Sequence, residues 1–259
     1  MGDAVRSERV AGVLTVTIDR PEHRNALNAD VNRGLLAALQ QAAGDDEVRV
    51  VVLTGAGEKA FCAGADLGGL APDAGAVELH RGRALFGDVL RTLRSLPKPV
   101  VARVNGAALA GGFGLALGCD LAVAADSASF GTTEVKVGMW PYMISAVLME
   151  HLGPKRTMDL MLSGRRMTAA EALDWGLVNR VAVPDGLDAA VAEMCDGLTA
   201  LSPVVLALGK ESYARAAQMT RDDALAYLAG CLDLHLQTED AVEGITAFLQ
   251  KRAPQWRGR

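Results

Sequence analysis

Apolar residues along this chain follow two periods. Val13–Ile18 (VLTVTI) alternates apolar side chains with threonine, the pattern of a half-buried strand leaving a turn at Gly12. Val48–Leu53 and Val100–Val104 are β-rich, mainly apolar runs bounded by turn residues, as in strands covered on both faces. Leu121–Ala125 is a shorter run of the same kind. Between them the period lengthens. Asn28 or Asp30 can cap a helix running to about Ala43 and ended by Gly44, and Val77–Leu96 reads as a long amphipathic helix stopped by Pro97 and Pro99. Strands separated by helices predict an α/β sheet with right-handed crossovers.

After Pro141, placed as the first residue of a helix, the pattern turns mainly helical. Gly153-Pro154 separates two helices, and Thr168-x-x-Glu171 is a capping box. Gly176 ends that short helix ahead of a strand at Leu177–Val183. About three helices fill Ser202 to Arg252. The division expected is an α/β core over residues 1–200 and a helical region over 201–259.

Composition narrows the function classes. With 259 residues, half of them hydrophobic, the chain can bury a full core. A net charge of −5 and no basic run longer than two residues favour neither nucleic acid nor an anionic membrane surface. The longest uncharged stretch, Val104–Cys119, has 16 residues and five glycines, too short and too glycine-rich to span a bilayer. MGDAVRSERV carries no apolar signal core, and a cytoplasmic location is expected. Cys62, Cys119, Cys195 and Cys231 show neither C-x-x-C nor paired His spacing, so no metal site is expected and reduced thiols are the default. Cys62 reads as small filler rather than a nucleophile.

The chemistry lies in two small-residue turns. In Val100–Asp120 (VVARVNGAALAGGFGLALGCD) a strand passes a turn at Asn105-Gly106 into a glycine-rich helix start. Gly111 and Gly112 permit close backbone approach and leave N–H groups free at a helix N-terminus, where they can hold negative charge on a carbonyl oxygen. Ala60–Leu67 (AFCAGADL) leaves the preceding apolar strand in the same way. Alone, such a turn is a tight connection; as a pair, the two outline an oxyanion hole.

These segments, in this order, resemble the enoyl-CoA hydratase/isomerase (crotonase) family. Further matches are Ile18-Asp19-Arg20-Pro21, Asn25-Ala26-Leu27-Asn28, Lys98-Pro99-Val100, Phe130-Gly131 with Glu134, Gly138 and Pro141, and Ala172–Val178 (ALDWGLV). The resemblance spans about Val13 to Trp256. It implies a crotonase-like spiral of ββα units with C-terminal helices that build a homotrimer or a dimer of trimers. It also implies an acyl-CoA thioester substrate, with coenzyme A as acyl carrier and no tightly bound cofactor. The oxyanion donors it implies are the N–H groups of Ala65 and Gly111.

One position departs from the family. Its two-carboxylate hydratases carry a Glu three residues after the oxyanion glycine and a second 20 residues further on; here these positions are Gly114 and Glu134. Hydration needs a group to activate water as well as one to handle the C2 proton, whereas moving a double bond needs a single base. Isomerisation of an enoyl-CoA by Glu134 is therefore the favoured reading, against an atypical hydratase or a non-catalytic acyl-CoA-binding homologue. Tyr142, His80 and Asp73 are candidates to enter the space above Gly114, which otherwise enlarges the pocket for a branched or cyclic acyl group.

The resemblance further implies coenzyme A contacts from the main chain of Asn25, Ala26 and Leu27, from Ala63, Asp66 and Leu67, and from Phe248 and Lys251 near the nucleotide. Without it, Lys251-Arg252 is an ordinary basic helix end. Thr54-Gly55-Ala56-Gly57 lacks the third glycine and the Lys-Ser/Thr of a phosphate-binding loop.

Overall fold

The computed structural model describes residues 4–69 and 75–259. The chain opens with a hairpin: β1 (Val5–Val10) turns at Ala11 and Gly12, φ 48° and 82°, into β2 (Val13–Ile18). Positive φ at both turn residues is the geometry that matches strand twist. β1 reads VRSERV and is largely exposed, so no hydrophobic pattern predicts it. Asn28 then caps α1 (Ala29–Gly44), its side chain accepting the Val31 N–H at 2.9 Å. Val31, Leu35 and Leu39 form the buried stripe of α1.

From here one unit repeats. β3 (Val50–Gly55) and β4 (Ala60–Cys62) precede α2 (Ala76–Ser95). β5 (Val100–Val104) and β6 (Ala107–Leu109) precede α3 (Gly111–Gly118). β7 (Leu121–Ala125) and β8 (Ser129–Gly131) precede a 3-10 turn at Thr133–Val137 and α4 (Tyr142–His151). The first strand of each pair joins a six-stranded sheet and the second a four-stranded sheet, so the chain spirals between them. α5 (Pro154–Ser163), β9 (Met167–Thr168), α6 (Ala169–Asp174), β10 (Arg180–Ala182) and α7 (Leu187–Thr199) follow. α8 (Pro203–Ala216), α9 (Arg221–His235) and α10 (Glu239–Gln250) come last.

The large sheet runs β1-β2-β3-β5-β7-β10, parallel except for β1, and the small sheet runs β4-β6-β8-β9, parallel except for β9. Every residue of β3 is buried, as its unbroken apolar run requires. Phe113 and Phe130 fill the space between sheet and helix with ring centroids 5.7 Å apart.

Several boundaries differ from the sequence reading. The strand expected at Val48 starts at Val50, because the Val48 N–H closes a turn onto Asp45. Pro141 caps α4 rather than opening it. The strand expected over Leu177–Val183 contracts to Arg180–Ala182, while Leu177 and Val178 are buried without pairing. Asn105-Gly106 leads into β6 before the helix, not straight into it. The Thr168 hydroxyl does cap Glu171, but the Glu171 carboxylate pairs with Arg165 instead of returning to the cap.

Candidate active site

β4, β6 and β8 run parallel side by side, so the three turns that follow them leave the same end of the small sheet. After β4, the Gly64 carbonyl accepts the Leu27 N–H at 2.7 Å, and the Leu27 carbonyl accepts the Asp66 N–H at 2.8 Å. Between these bonds the Ala65 N–H has no acceptor among the described residues. After β6, Gly111 is the first residue of α3, where an N–H has no partner within the helix.

Close backbone contact holds the two turns together. Gly64 sits at φ 92°, and a Cβ there would lie 2.6 Å from the Ala110 Cβ and 3.3 Å from the Gly111 nitrogen. A Cβ on Gly112 would overlap the Cys62 carbonyl. Ala110 adopts φ 51°, ψ −127°, a conformation that costs a side-chain-bearing residue of order 1–3 kcal/mol. Its N–H donates to the Gly131 carbonyl at 2.8 Å, which ties the second turn to the third. Burial pushes the Cys62 thiol up to about 12, consistent with filler and not with a nucleophile.

The third turn carries Glu134. Its Oε2 is buried and has no hydrogen-bond partner among the described residues. Burial raises this carboxyl above the ordinary range, against a smaller opposing effect of its own backbone N–H. Such a group takes up a proton more readily than an exposed carboxylate.

Opposite Gly114 the sequence reading is corrected. The space is not open: a Cβ on Gly114 would overlap Cγ2 of Ile144, which is 2% exposed. Phe86 lies 3.6 Å from the same point and 3.5 Å from the Cβ position of Gly111. Gly114 therefore does not enlarge the pocket. Tyr142 is 78% exposed and His80 is exposed, so neither fills the position, and Asp73 lies outside the described residues.

The residues implied for coenzyme A divide into two groups. Asn25, Ala26, Leu27, Ala63, Asp66 and Leu67 gather around the first turn. Asn25 is fully buried, its side chain donating to the carbonyls of Ala56 and Ala60 and accepting from the Arg20 N–H. Asp66 pairs with Arg20 at 2.9 Å, and that hydrogen bond holds its carboxyl low. Arg20 also donates to the Ala26 carbonyl at 2.7 Å, so one guanidinium braces both halves of the segment. Phe248, 83% exposed, and Lys251, at φ 55°, stand instead at the end of α10, which packs on α8. Among the described residues no three His, Cys, Asp or Glu side chains are placed to hold a metal.

Arg20, Ala110, Phe86 and Ile144 were not singled out from sequence as parts of this site. Arg20 lies in the Ile18-Asp19-Arg20-Pro21 motif, which by itself does not show what its guanidinium holds. Nothing in the spacing links Ile144 to Gly114.

The sequence model of the enoyl-CoA hydratase/isomerase family matches residues 8–259. The chain belongs to this family. Across their whole lengths it is 39% identical to a carnitinyl-CoA dehydratase of Salmonella arizonae. An enoyl-CoA hydratase of Mycobacterium smegmatis superimposes with a TM-score of 0.94 at 34% identity, covering 98% of each chain. A protein of Magnetospirillum magneticum described as enoyl-CoA hydratase/carnithine racemase gives 0.90 at 33% identity, covering 100% of this chain and 97% of its own. The spiral described above is thus the crotonase fold, and the chain is a crotonase-family enzyme whose members act on coenzyme A thioesters.

Proposed function

We propose that this enzyme moves the double bond of an enoyl-CoA, with Glu134 as its single base. The N–H groups of Ala65 and Gly111 receive the thioester oxygen. Glu134 takes the C2 proton of a 3-enoyl thioester, leaving a dienolate whose charge rests on that oxygen. It then returns the proton to C4, and the bond migrates into conjugation. Each oxyanion donor contributes about 3–4 kcal/mol to lowering such a barrier. The observation that carries this reading is the buried Glu134 oxygen, unpartnered among the described residues, with Ile144 standing where a second carboxylate would start.

Coenzyme A is held by the main chain around Ala63–Leu67 and Asn25–Leu27, with Phe248 and Lys251 toward its nucleotide. The chain assembles as a trimer or dimer of trimers. Exposed Leu228, Leu232, Ile245 and Leu249 on α9 and α10 support this, and light scattering should give three or six times the 27.1 kDa chain mass. A 27.1 kDa particle at micromolar concentration would reject it.

The names of the relatives favour a second reading, reversible hydration of a 2-enoyl-CoA by Glu134 alone. Purified protein assayed on 2-enoyl and 3-enoyl thioesters, with hydration and migration measured separately, decides between them. Fast hydration of a simple 2-enoyl-CoA with no migration would reject the isomerase reading.

A further inference from the structure

Gly111 and Gly114 lie one turn apart on the same face of α3. Phe86 approaches the Cβ positions of both, at 3.5 and 3.6 Å, while Leu27 Cδ1 lies 3.1 Å from the first and Ile144 overlaps the second. The face that presents the oxyanion donor is therefore roofed by three apolar side chains. Three residues of helix advance about 4.5 Å, so Ile144 fills the place from which a side chain at 114, one turn behind the Gly111 N–H, would extend toward an acyl group held there.

Ile144 owes this position to the missing side chain. Gly114 is buried within α3, and helical glycine costs about 1 kcal/mol against alanine. Its notch is filled by an isoleucine methyl from the first turn of α4, leaving no room for a Cβ. The pair acts as one packing unit: a side chain at 114 requires a smaller residue at 144.

We propose that Ile144 is the specificity-determining residue of this site. Its side chain, seated in the Gly114 notch, excludes water and polar acyl substituents from the C2–C3 region, so that proton transfer at Glu134 proceeds without addition of water. The inference rests on the reading of Glu134 as the base and names what that reading leaves open, the class of acyl group accepted. Substrates carry apolar carbons at C2 to C4, and 3-hydroxyacyl thioesters are rejected.

The test compares Gly114→Glu, Ile144→Gly and the double variant with the unaltered protein. Two readouts are taken on each: deuterium exchange at C2 of a saturated acyl-CoA, which reports proton removal, and hydration of a 2-enoyl-CoA. Gly114→Glu alone should lower Tm and add no hydration. Adding Ile144→Gly should recover part of that Tm and raise the ratio of hydration to exchange by about 100-fold or more, the scale of one acid–base group. Exchange with no rise in that ratio overturns the wall while sparing Glu134. Absence of exchange in the unaltered protein overturns the Glu134 assignment, and the wall with it. If the double variant does not fold, Ile144→Ala, which only removes atoms, takes its place. A ratio raised at least tenfold upholds the proposal, and an unchanged ratio rejects it.

Discussion

Gly64 and Ala110 face each other so closely that a Cβ on Gly64 would come within 2.6 Å of the Ala110 Cβ. This contact sets the spacing of the two turns whose N–H groups are proposed to share one oxygen. Gly64 also sits at φ 92°, where a side chain is strained. Gly64→Ala is therefore expected to cost of order 1–3 kcal/mol in stability. It should also lower kcat/KM by about 100-fold, near the effect of losing one oxyanion donor. Thermal unfolding and steady-state kinetics on the same preparation check both. A variant with normal kinetics would show that the turns do not act together.

Glu134→Gln keeps the size of the side chain and removes its proton chemistry. Turnover is expected to fall by about 10²–10⁴-fold, with coenzyme A affinity nearly unchanged. Stability should move the other way. Because burial raises the Glu134 pKa, this group favours the folded state when protonated, and that contribution is lost as pH rises through the raised value. The Gln variant should thus unfold at a higher temperature than the parent near neutral pH, with the difference vanishing at acid pH. A variant no more stable at any pH would contradict the buried carboxylate.

The sequence and the structure part company along a physical line. Long elements announce themselves: the α1 stripe of Val31, Leu35 and Leu39, and the buried run of β3, follow from periodicity. The second sheet does not, because Ala60–Cys62, Ala107–Leu109 and Ser129–Gly131 are three residues each and show no period. Their pairing needs close backbone approach, as at Gly106, where a Cβ would come within 3 Å of the Lys59 carbonyl and the Ala60 nitrogen. The two small-residue turns and the position of Glu134 are legible as motifs. The Ile144 plug was not, since it depends on a contact between α3 and α4 and not on any local pattern. The bracing of Asp66 by Arg20 is likewise a contact between residues 46 apart in sequence.

The C-terminal helices are fastened to the core by Lys210. Its Nζ lies 2.6 Å from Asp120 Oδ2 and donates to the carbonyls of Leu93 and Lys98. Burial raises the Asp120 carboxyl, and Lys210 offsets part of that rise. Lys210→Met leaves the carboxylate without its cation and should cost about 1.5–3 kcal/mol, the scale of hydrogen bonds to a charged group. Protonated Asp120 needs no cation, so the deficit should shrink as pH falls through the raised carboxyl range. Chemical denaturation of both proteins at neutral and acid pH measures this. A deficit independent of pH would mean that Lys210 acts through packing alone.

Lys251 is an exposed cation in the left-handed position that ends α10, and it is proposed to meet a phosphate of coenzyme A. An ammonium in solvent gains little from one such partner, about 0–1 kcal/mol for an exposed ion pair, rising when the anion carries more charge. Lys251→Ala should therefore weaken acyl-CoA binding about fivefold, most visibly at low salt, where screening is weak. The same acyl group on pantetheine lacks the nucleotide phosphates and should bind both proteins alike. Phe248→Ala should follow the same split if its ring meets the nucleotide. Titration of the two carriers at two ionic strengths separates this from a folding defect, which would weaken both. Equal weakening for acyl-CoA and acyl-pantetheine, or an effect insensitive to salt, would remove Lys251 from the proposed site.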